Sequence, residues 1–307
     1  MSEEPPSDPP LSRSGMAFAA TCYLAWGLTP IYWKGVPDIS PQEVLIPRVL
    51  WTLALLMVVV LATGQRAQLQ GARAADWAWS LVAAGLLAAN WMIFVHAVQT
   101  DQVMATSLGY YINPLASILL GLVILHERLS TLRGIAVGVA ALGVAMLTAH
   151  EGQLPWISLL LAGTFALYGL IHKLRPQPPL GGLSREMIVL APFALIAIVW
   201  LASTNRSSLL ESSLQDQVYL SATGLVTAGP LLLFHAATKR LPLVAVGMFQ
   251  YIAPTIALVL AITAFGEPFS RSHGFGFGLV WIGLLCFTYD SIRPHHPSSI
   301  PAPSRDG

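Results

Sequence analysis

Charged side chains are scarce in this sequence of 307 residues. Lys, Arg, Asp and Glu together make up 10% of the chain, whereas they usually make up about a quarter of a soluble domain. Hydrophobic residues make up 55%, and the net charge of +1 gives no basis for nucleic-acid binding. So few charges could not cover a surface that faces water. The composition therefore predicts a membrane protein.

Cysteines and enzyme signatures are also scarce. The two cysteines, Cys22 and Cys286, lie inside apolar blocks, so we expect small buried side chains and no disulfide framework. The sequence lacks the HExxH, GxSxG and GxxxxGK[ST] patterns of zinc proteases, hydrolases and nucleotide-binding loops. We therefore expect no catalytic residues, no metal ion, no cofactor and no ATP-driven transport within this chain. An integral membrane enzyme would need paired carboxylates or a metal cluster and is the less favoured alternative.

Apolar residues occur in blocks of about 20, the length that a helix needs to cross a bilayer. This pattern predicts an all-α membrane protein with two disordered tails, at 1–14 and 294–307. Ten membrane segments are predicted, at approximately 15–33, 43–63, 77–98, 103–125, 132–149, 155–173, 186–202, 218–238, 243–265 and 273–290.

One motif occurs twice along the chain. Residues 110–114 read Tyr-Tyr-Ile-Asn-Pro, and residues 250–254 read Gln-Tyr-Ile-Ala-Pro. A Glu, a Ser and three glycines follow each proline at the same offsets. We interpret this as an internal duplication, with repeats at 15–149 and 155–290. Five segments per repeat is an odd number, so the second repeat crosses the membrane in the opposite sense, as in many secondary transporters.

The distribution of basic residues predicts the orientation. With the N-terminus in the cytoplasm, twelve of the sixteen Lys and Arg residues fall on the inside and three on the outside. Cytoplasmic loops carry such an excess of basic residues. We therefore expect both termini and the 174–185 loop to be cytoplasmic.

The duplicated prolines predict two interrupted helices. Pro114 and Pro254 each remove a backbone donor inside an apolar segment, and freed carbonyls in a membrane need protein or a water-filled cavity beside them. Polar residues near the prolines, and others deep in segments two and three, would suit such a cavity. The predicted substrate pathway comprises Arg48, Asn90, Tyr110, Tyr111, Asn113, Gln250 and Tyr251. The alternative is a pair of curved helices with tyrosines at the membrane interface.

Several ionisable residues leave two interpretations open. Arg48 could hold an anionic group in a cavity, or its side chain could extend to the outer surface. His96 and His235 could carry protons or be hydrogen-bonded structural residues. Glu127 and Glu267 could act as gates, although an ordering role beside Ser130 and Ser270, which suit the N-cap of the next helix, is favoured.

Two GxxxG pairs, Gly134 with Gly138 and Gly274 with Gly278, predict close helix packing.

The chain resembles the RarD group of the EamA branch of the drug/metabolite transporter superfamily. The resemblance rests on residues 25–34, 48–51, 90–91, 107–115, 241–243 and 250–255. It implies ten helices in two EamA repeats, a bacterial cytoplasmic (inner) membrane, and movement of small metabolites or drugs, often outward. His126, before Glu127, departs from the small residue expected there.

Together these features predict a secondary transporter that works by alternating access. We expect a monomer in the lipid bilayer, with a small-molecule substrate and no nucleic-acid partner. A membrane scaffold or sensor without transport is the other alternative, and it would lack a continuous polar pathway.

Overall fold

A computed structural model describes residues 11–35, 39–100, 103–148, 156–204, 207–264 and 271–292. These residues form helices and no strands, which confirms the predicted all-α class. The helices are α1 (Arg13–Lys34), α2 (Pro41–Ala62), α3 (Ala67–Gln70), α4 (Ala74–Gln99), α5 (Val103–Val123), α6 (Thr131–Thr148), α7 (Trp156–Leu174), α8 (Pro179–Thr204), α9 (Ser208–Glu211), α10 (Leu214–Ser221), α11 (Thr223–Thr238), α12 (Leu243–Gln250), α13 (Ile252–Thr263) and α14 (Arg271–Ile292).

Eight helical stretches in the described ranges are long and apolar enough to cross a membrane, and Gly109–Val123 is a shorter apolar helix. On α8, for example, Phe193, Ile196, Val199 and Trp200 are each more than 60% exposed. An apolar face of this kind suits lipid. Each predicted segment coincides with one helix or a consecutive pair, but the count of ten crossings stays a prediction.

Several helices, α1 and α8 among them, begin earlier than the sequence predicted. Helix α1 begins at Arg13, where Ser12 caps it by accepting a hydrogen bond from the Gly15 amide at 3.3 Å. Helix α8 begins at Pro179, because a proline at the first position of a helix sacrifices no hydrogen bond. The predicted 174–185 loop is therefore largely helical, and Glu186 lies two turns inside α8. The tails at 1–10 and 293–307 lie outside the described residues.

Helix packing has a two-fold pattern. Helix α6 packs on α14, α5 on α12, and α2 on α8. Helix α1 packs on α11 and α13, just as α7 packs on α4 and α5. Exchanging each membrane segment for the one five places later maps these pairs onto one another. This is the packing that two related halves would produce, and it supports the predicted duplication.

Helices α6 and α14 pack closely against each other. A Cβ added to Gly143 would lie 2.6 Å from the Gly276 carbonyl oxygen, and one added to Gly283 would lie 2.6 Å from the Ala136 carbonyl oxygen. By contrast, Gly134, Gly138 and Gly278 have nothing within 4 Å of the added Cβ. The predicted packing role of the GxxxG pairs is therefore wrong at these three positions, because the rotation of α6 and α14 turns other glycines towards the contact.

Polar side chains link α6 and α14 at one end of this contact. The orientation predicted from the basic residues places that end in the cytoplasm. Ser130 caps α6 by accepting a hydrogen bond from the Arg133 amide at 3.2 Å, which confirms the predicted N-cap. The Arg133 guanidinium forms a buried salt bridge of 3.0 Å with Asp290 on α14, and Ser130 donates to the same carboxylate at 2.8 Å. Ser270, the matching residue, lies outside the described residues.

The duplicated prolines behave differently. Helix α12 ends at Gln250 and α13 begins at Ile252, so the helix is interrupted just before Pro254. Pro254 crowds the carbonyl four residues earlier, which is that of Gln250. Helix α5 instead continues through Pro114, contrary to the expected break. A membrane helix tolerates one lost hydrogen bond, here that of the Tyr110 carbonyl, four residues before the proline.

Candidate functional site

Arg48 lies inside the helix bundle. Its Nε donates to Thr227 Oγ1 on α11 at 3.0 Å. Its guanidinium carbon stands 4.0 Å from the ring centroid of Trp91 on α4 and 5.7 Å from that of Trp33 on α1. Arg48 has no carboxylate partner among the described residues. Arg48 on α2 is thus a cation whose neighbours on α1, α4 and α11 are neutral.

Tyr110 and Tyr111 face different neighbours, because consecutive helical residues point about 100° apart. Tyr110 is 53% exposed and lies close enough to Arg48 to interact with it electrostatically. Tyr111 packs edge-on against Phe277 of α14, with 5.1 Å between ring centroids. Of this pair, Tyr110 is therefore the neighbour of Arg48.

Buried polar atoms gather near the interrupted helix. Gln250 Oε1 accepts a hydrogen bond from Ser117 on α5 at 3.3 Å. The hydroxyls of Tyr23 and Tyr251 and the Oδ1 atom of Asn113 are buried and lack a hydrogen-bond partner within the described chain. Leaving such an atom without a partner costs about 1–3 kcal/mol. These atoms are therefore suited to a bound solute or to water.

Asn90 and His96 contact the second half of the chain. Asn90 donates to the Leu161 carbonyl at 2.8 Å and to Thr164 Oγ1 at 2.9 Å, which ties α4 to α7. The His96 ring lies 6.3 Å from that of Trp156, also on α7. Both contacts serve helix packing, and a role in the pathway stays a prediction.

Glu127 caps a helix of the other half. Its two carboxylate oxygens accept hydrogen bonds from the backbone amides of Leu243 and Val244, at 2.6 and 2.8 Å. A carboxylate at a helix N-terminus is stabilised by the helix dipole. His126, just before it, has a φ of 52°, a conformation that favours glycine and accounts for the small residue expected there. Glu267 lies outside the described residues.

His235 belongs to a buried cluster that joins three helices. The Tyr168 hydroxyl, on α7, lies 2.8 Å from Glu186 Oε2 on α8 and 2.6 Å from His235 Nε2 on α11. His172 Nε2 lies 3.1 Å from Glu186 Oε1, without the alignment of a hydrogen bond. The four side chains are at most 5% exposed. We call these four residues the inner cluster.

Three members of the inner cluster carry atoms that often bind metals. Donor atoms of His172, Glu186 and His235 lie within 4.8 Å of one another. Two imidazoles bound to one ion at about 2.1 Å would hold their ring centroids roughly 5 Å apart. The centroids of His172 and His235 are only 3.7 Å apart. This stacking does not fit two ligands of one metal ion.

Comparisons with known proteins agree with this architecture. A profile of the EamA-like transporter family matches residues 13–149. An uncharacterized transporter of Pseudomonas aeruginosa is 38% identical, over 92% of this chain and 95% of its own. Protein RarD of Streptomyces exfoliatus is 36% identical, over 92% of this chain and 90% of its own. Protein RarD of Escherichia coli is 34% identical, over 94% of this chain and 98% of its own.

The chain belongs to the EamA-like transporter family. Its RarD-type resemblance is confirmed, and the protein is a multi-pass membrane protein of a transporter family. A solved crystal structure superposes with a TM-score of 0.74 at 15% identity, over 92% of this chain and 100% of the other. That likeness concerns the fold alone.

In this EamA-family chain, sequence analysis missed most of the inner cluster. Glu186 was predicted at the first residue of its segment, where a charge needs no explanation. The earlier start of α8 moves it into the bundle. Tyr168 and His172 stand four residues apart, on one face of a helix, and that spacing was a signal in the sequence. Their convergence with His235 depends on how α7, α8 and α11 pack.

Proposed function

We propose that this EamA-family protein is a secondary transporter of small metabolites or drugs, that its solute bears an anionic group, and that Arg48 holds that group. The supporting observation is the environment of Arg48. A charge inside a membrane bundle is costly and usually functional. Here the guanidinium has one hydrogen bond to Thr227 and aromatic neighbours, with no carboxylate partner among the described residues.

The neighbours of Arg48 suggest the shape of the solute. The guanidinium lies over the Trp91 ring, the Trp33 ring is 5.7 Å away, and Tyr110 is close enough to interact electrostatically. An arginine retains donors for a carboxylate or phosphate while its flat face contacts an aromatic ring. A solute with one anionic group and an apolar or aromatic body fits these surroundings best.

Alternating access is supported by the packing of the two halves and by the interrupted helix at Tyr251. Related halves can rock against each other around a shared site. The break between α12 and α13 supplies a hinge, and the buried polar atoms of Asn113 and Tyr251 lie near it in the chain. We propose the bacterial cytoplasmic membrane as the location, with both termini in the cytoplasm.

The test is transport by purified protein in lipid vesicles. A panel of carboxylated, phosphorylated and neutral solutes, including chloramphenicol, is offered to the wild type and to Arg48→Gln. The lost charged hydrogen bond is worth about 1.5–3 kcal/mol, so the apparent affinity for the anionic solute should fall by about 10- to 150-fold. Arg48→Lys keeps the charge and should lose less.

Arg66→Gln is the matched control, because Arg66 is exposed in the connection between α2 and α3. It should transport like the wild type. The role of Arg48 is refuted if Arg48→Gln transports the anionic solute with unchanged affinity at equal amounts of folded protein. Secondary transport is refuted if uptake needs ATP after all ion gradients have been collapsed.

A further inference from the structure

The inner cluster lies away from Arg48 and serves no role in the solute site proposed above. It consists of Tyr168 and His172 on α7, Glu186 on α8 and His235 on α11. By the predicted orientation, it stands at the cytoplasmic end of these helices. An ionisable residue buried inside a membrane bundle is costly and usually functional. The neighbours of Glu186 determine which protons the cluster can hold.

The Tyr168 hydroxyl has one proton to donate but two polar neighbours, Glu186 Oε2 at 2.8 Å and His235 Nε2 at 2.6 Å. It can donate to only one of them. The other neighbour must therefore donate a proton to the Tyr168 oxygen, because two oxygen or nitrogen lone pairs at this distance repel each other.

The second nitrogen of His235, Nδ1, faces Gly182 in the first turn of α8. A neutral imidazole carries its one proton on either ring nitrogen, so His235 Nε2 can donate to Tyr168 or accept from it.

Three proton arrangements satisfy the two contacts of Tyr168. In the first, neutral His235 donates from Nε2 to Tyr168, which donates to ionised Glu186. In the second, protonated Glu186 donates to Tyr168, which donates to neutral His235. In the third, doubly protonated His235 donates to Tyr168, which donates to ionised Glu186. The second and third contain one proton more than the first, so the same geometry holds the cluster with and without one extra proton.

Releasing that proton leaves a charge buried between helices. Ionised Glu186, 1% exposed, then stands where α7, α8 and α11 meet. A buried charge is costly, so proton release favours a state in which the helices separate and water reaches Glu186. Proton content and helix packing are thus linked at this point.

The surroundings limit the cluster to one extra proton. The His172 ring stacks 3.7 Å from that of His235, so two imidazolium charges would repel strongly. Arg185 is a fixed cation on the other side, held by Gln68, Gln177 and Ser80. The other titratable groups facing the cluster or Arg185 are Cys22 on α1 and Asp76 on α4. Within the described chain, α2 and α3 place no charge beside Glu186.

We propose that Glu186, Tyr168 and His235 form a proton-binding site, and that binding and release of one proton there are coupled to the conformational cycle of transport. This proposal rests on the proposed function, since the cycle is that of a transporter. The proton comes from water on the side to which the cluster is open, and it returns to water after the helices separate.

The first experiment needs no solute. Infrared difference spectra of purified protein in lipid, between acidic and alkaline buffer, report carboxyl and imidazole protonation. We expect a buried-site signal in the wild type that Glu186→Gln removes. Tyr168→Phe keeps Glu186 and His235 but removes the hydroxyl that connects them, so these two groups should titrate independently. Glu211→Gln, at an exposed residue of α9, is the control and should leave the signal unchanged.

Two results would overturn the proton site. One is an identical spectrum for the wild type, Glu186→Gln and Tyr168→Phe. The other is stoichiometric, high-affinity Co²⁺ binding that Glu186→Gln abolishes, which would make the cluster a metal site. If Glu186→Gln fails to fold, Glu186→Asp replaces it and should shift the carboxyl signal.

The second experiment tests coupling with a solute that the wild type carries. Glu186→Gln should still exchange labelled for unlabelled solute across the vesicle membrane, while its response to an imposed pH gradient disappears. An unchanged response to the gradient would refute coupling. If the wild type carries no solute of the panel, the proposed function fails, and the infrared result still decides the proton site.

Discussion

Glu127 offers a sharp test of how the two halves of the bundle are joined. It follows α5 in the first half and binds the first amides of α12 in the second, with hydrogen bonds of 2.6 and 2.8 Å. The substitution Glu127→Gln keeps the size of the side chain. It removes the charge and turns an amide donor towards one of the two backbone donors.

The expected loss follows from these contacts. Hydrogen bonds to a charged group contribute about 1.5–3 kcal/mol each, and a carboxylate at a helix N-terminus gains a further ~0.3–1 kcal/mol. Losing one charged bond and the dipole interaction should cost about 2–4 kcal/mol. If local opening governs exchange, that cost makes the amides of Leu243 and Val244 exchange about 30- to 800-fold faster.

Hydrogen–deuterium exchange with mass spectrometry of the peptide that contains residues 243–244 measures this effect. Glu211→Gln, at an exposed glutamate in the short helix α9, is the matched control and should leave that peptide unchanged. The reasoning is refuted if Glu127→Gln leaves the exchange of Leu243 and Val244 within error of the wild type.

The same variant separates the two interpretations of Glu127. A purely structural cap should lower stability and leave the transport rate per folded molecule unchanged. A gate should change the rate of opening, and therefore the transport rate, because breaking the cap is then part of the cycle.

Three further predictions follow from the fold. A reporter fused after residue 210 should be active only in a periplasmic format, since the predicted orientation places 203–217 outside; cytoplasmic activity would contradict the inverted repeat. Tyr251→Phe should leave folding intact, because its buried hydroxyl has no partner in the described chain, yet it should weaken solute binding by about 5- to 150-fold if the hydroxyl binds solute; unchanged binding would exclude that contact. Gly283→Leu should destabilise the α6–α14 contact by ~1–3 kcal/mol or more, measured by thermal unfolding. Gly138→Leu is the control and should not destabilise the protein, because Gly138 has open space around it. Equal stability of both variants would refute this packing.

Much of the fold could be predicted from local features of the sequence. Apolar block length locates the membrane segments, because a bilayer of about 30 Å demands roughly 20 apolar residues in a helix. The N-cap of α6 at Ser130 was also predictable, since capping involves only residues within one turn. The early start of α8 was not, because its first two turns contain two glycines and Arg185, which suggest a loop.

The candidate site was predictable only in part. Arg48 and Gln250 could be assigned to the predicted pathway because each is a polar residue within an apolar segment. Glu186 could not, because it stood at a predicted segment end. The interruption before Pro254 followed from proline chemistry. Helix α5 continues through Pro114 although that proline also lacks an amide donor, so proline position alone does not decide where a helix ends.

The sequence by itself determined the membrane class, the family and the positions of most helices, because these depend on composition and on patterns along the chain. Only the tertiary structure decided which faces meet. Gly143 packs against α14 while Gly138 stands open, and Tyr168 joins Glu186 to His235. Such contacts depend on the rotation and depth of each helix relative to its neighbours, and those quantities are set by the packing of the whole bundle at once.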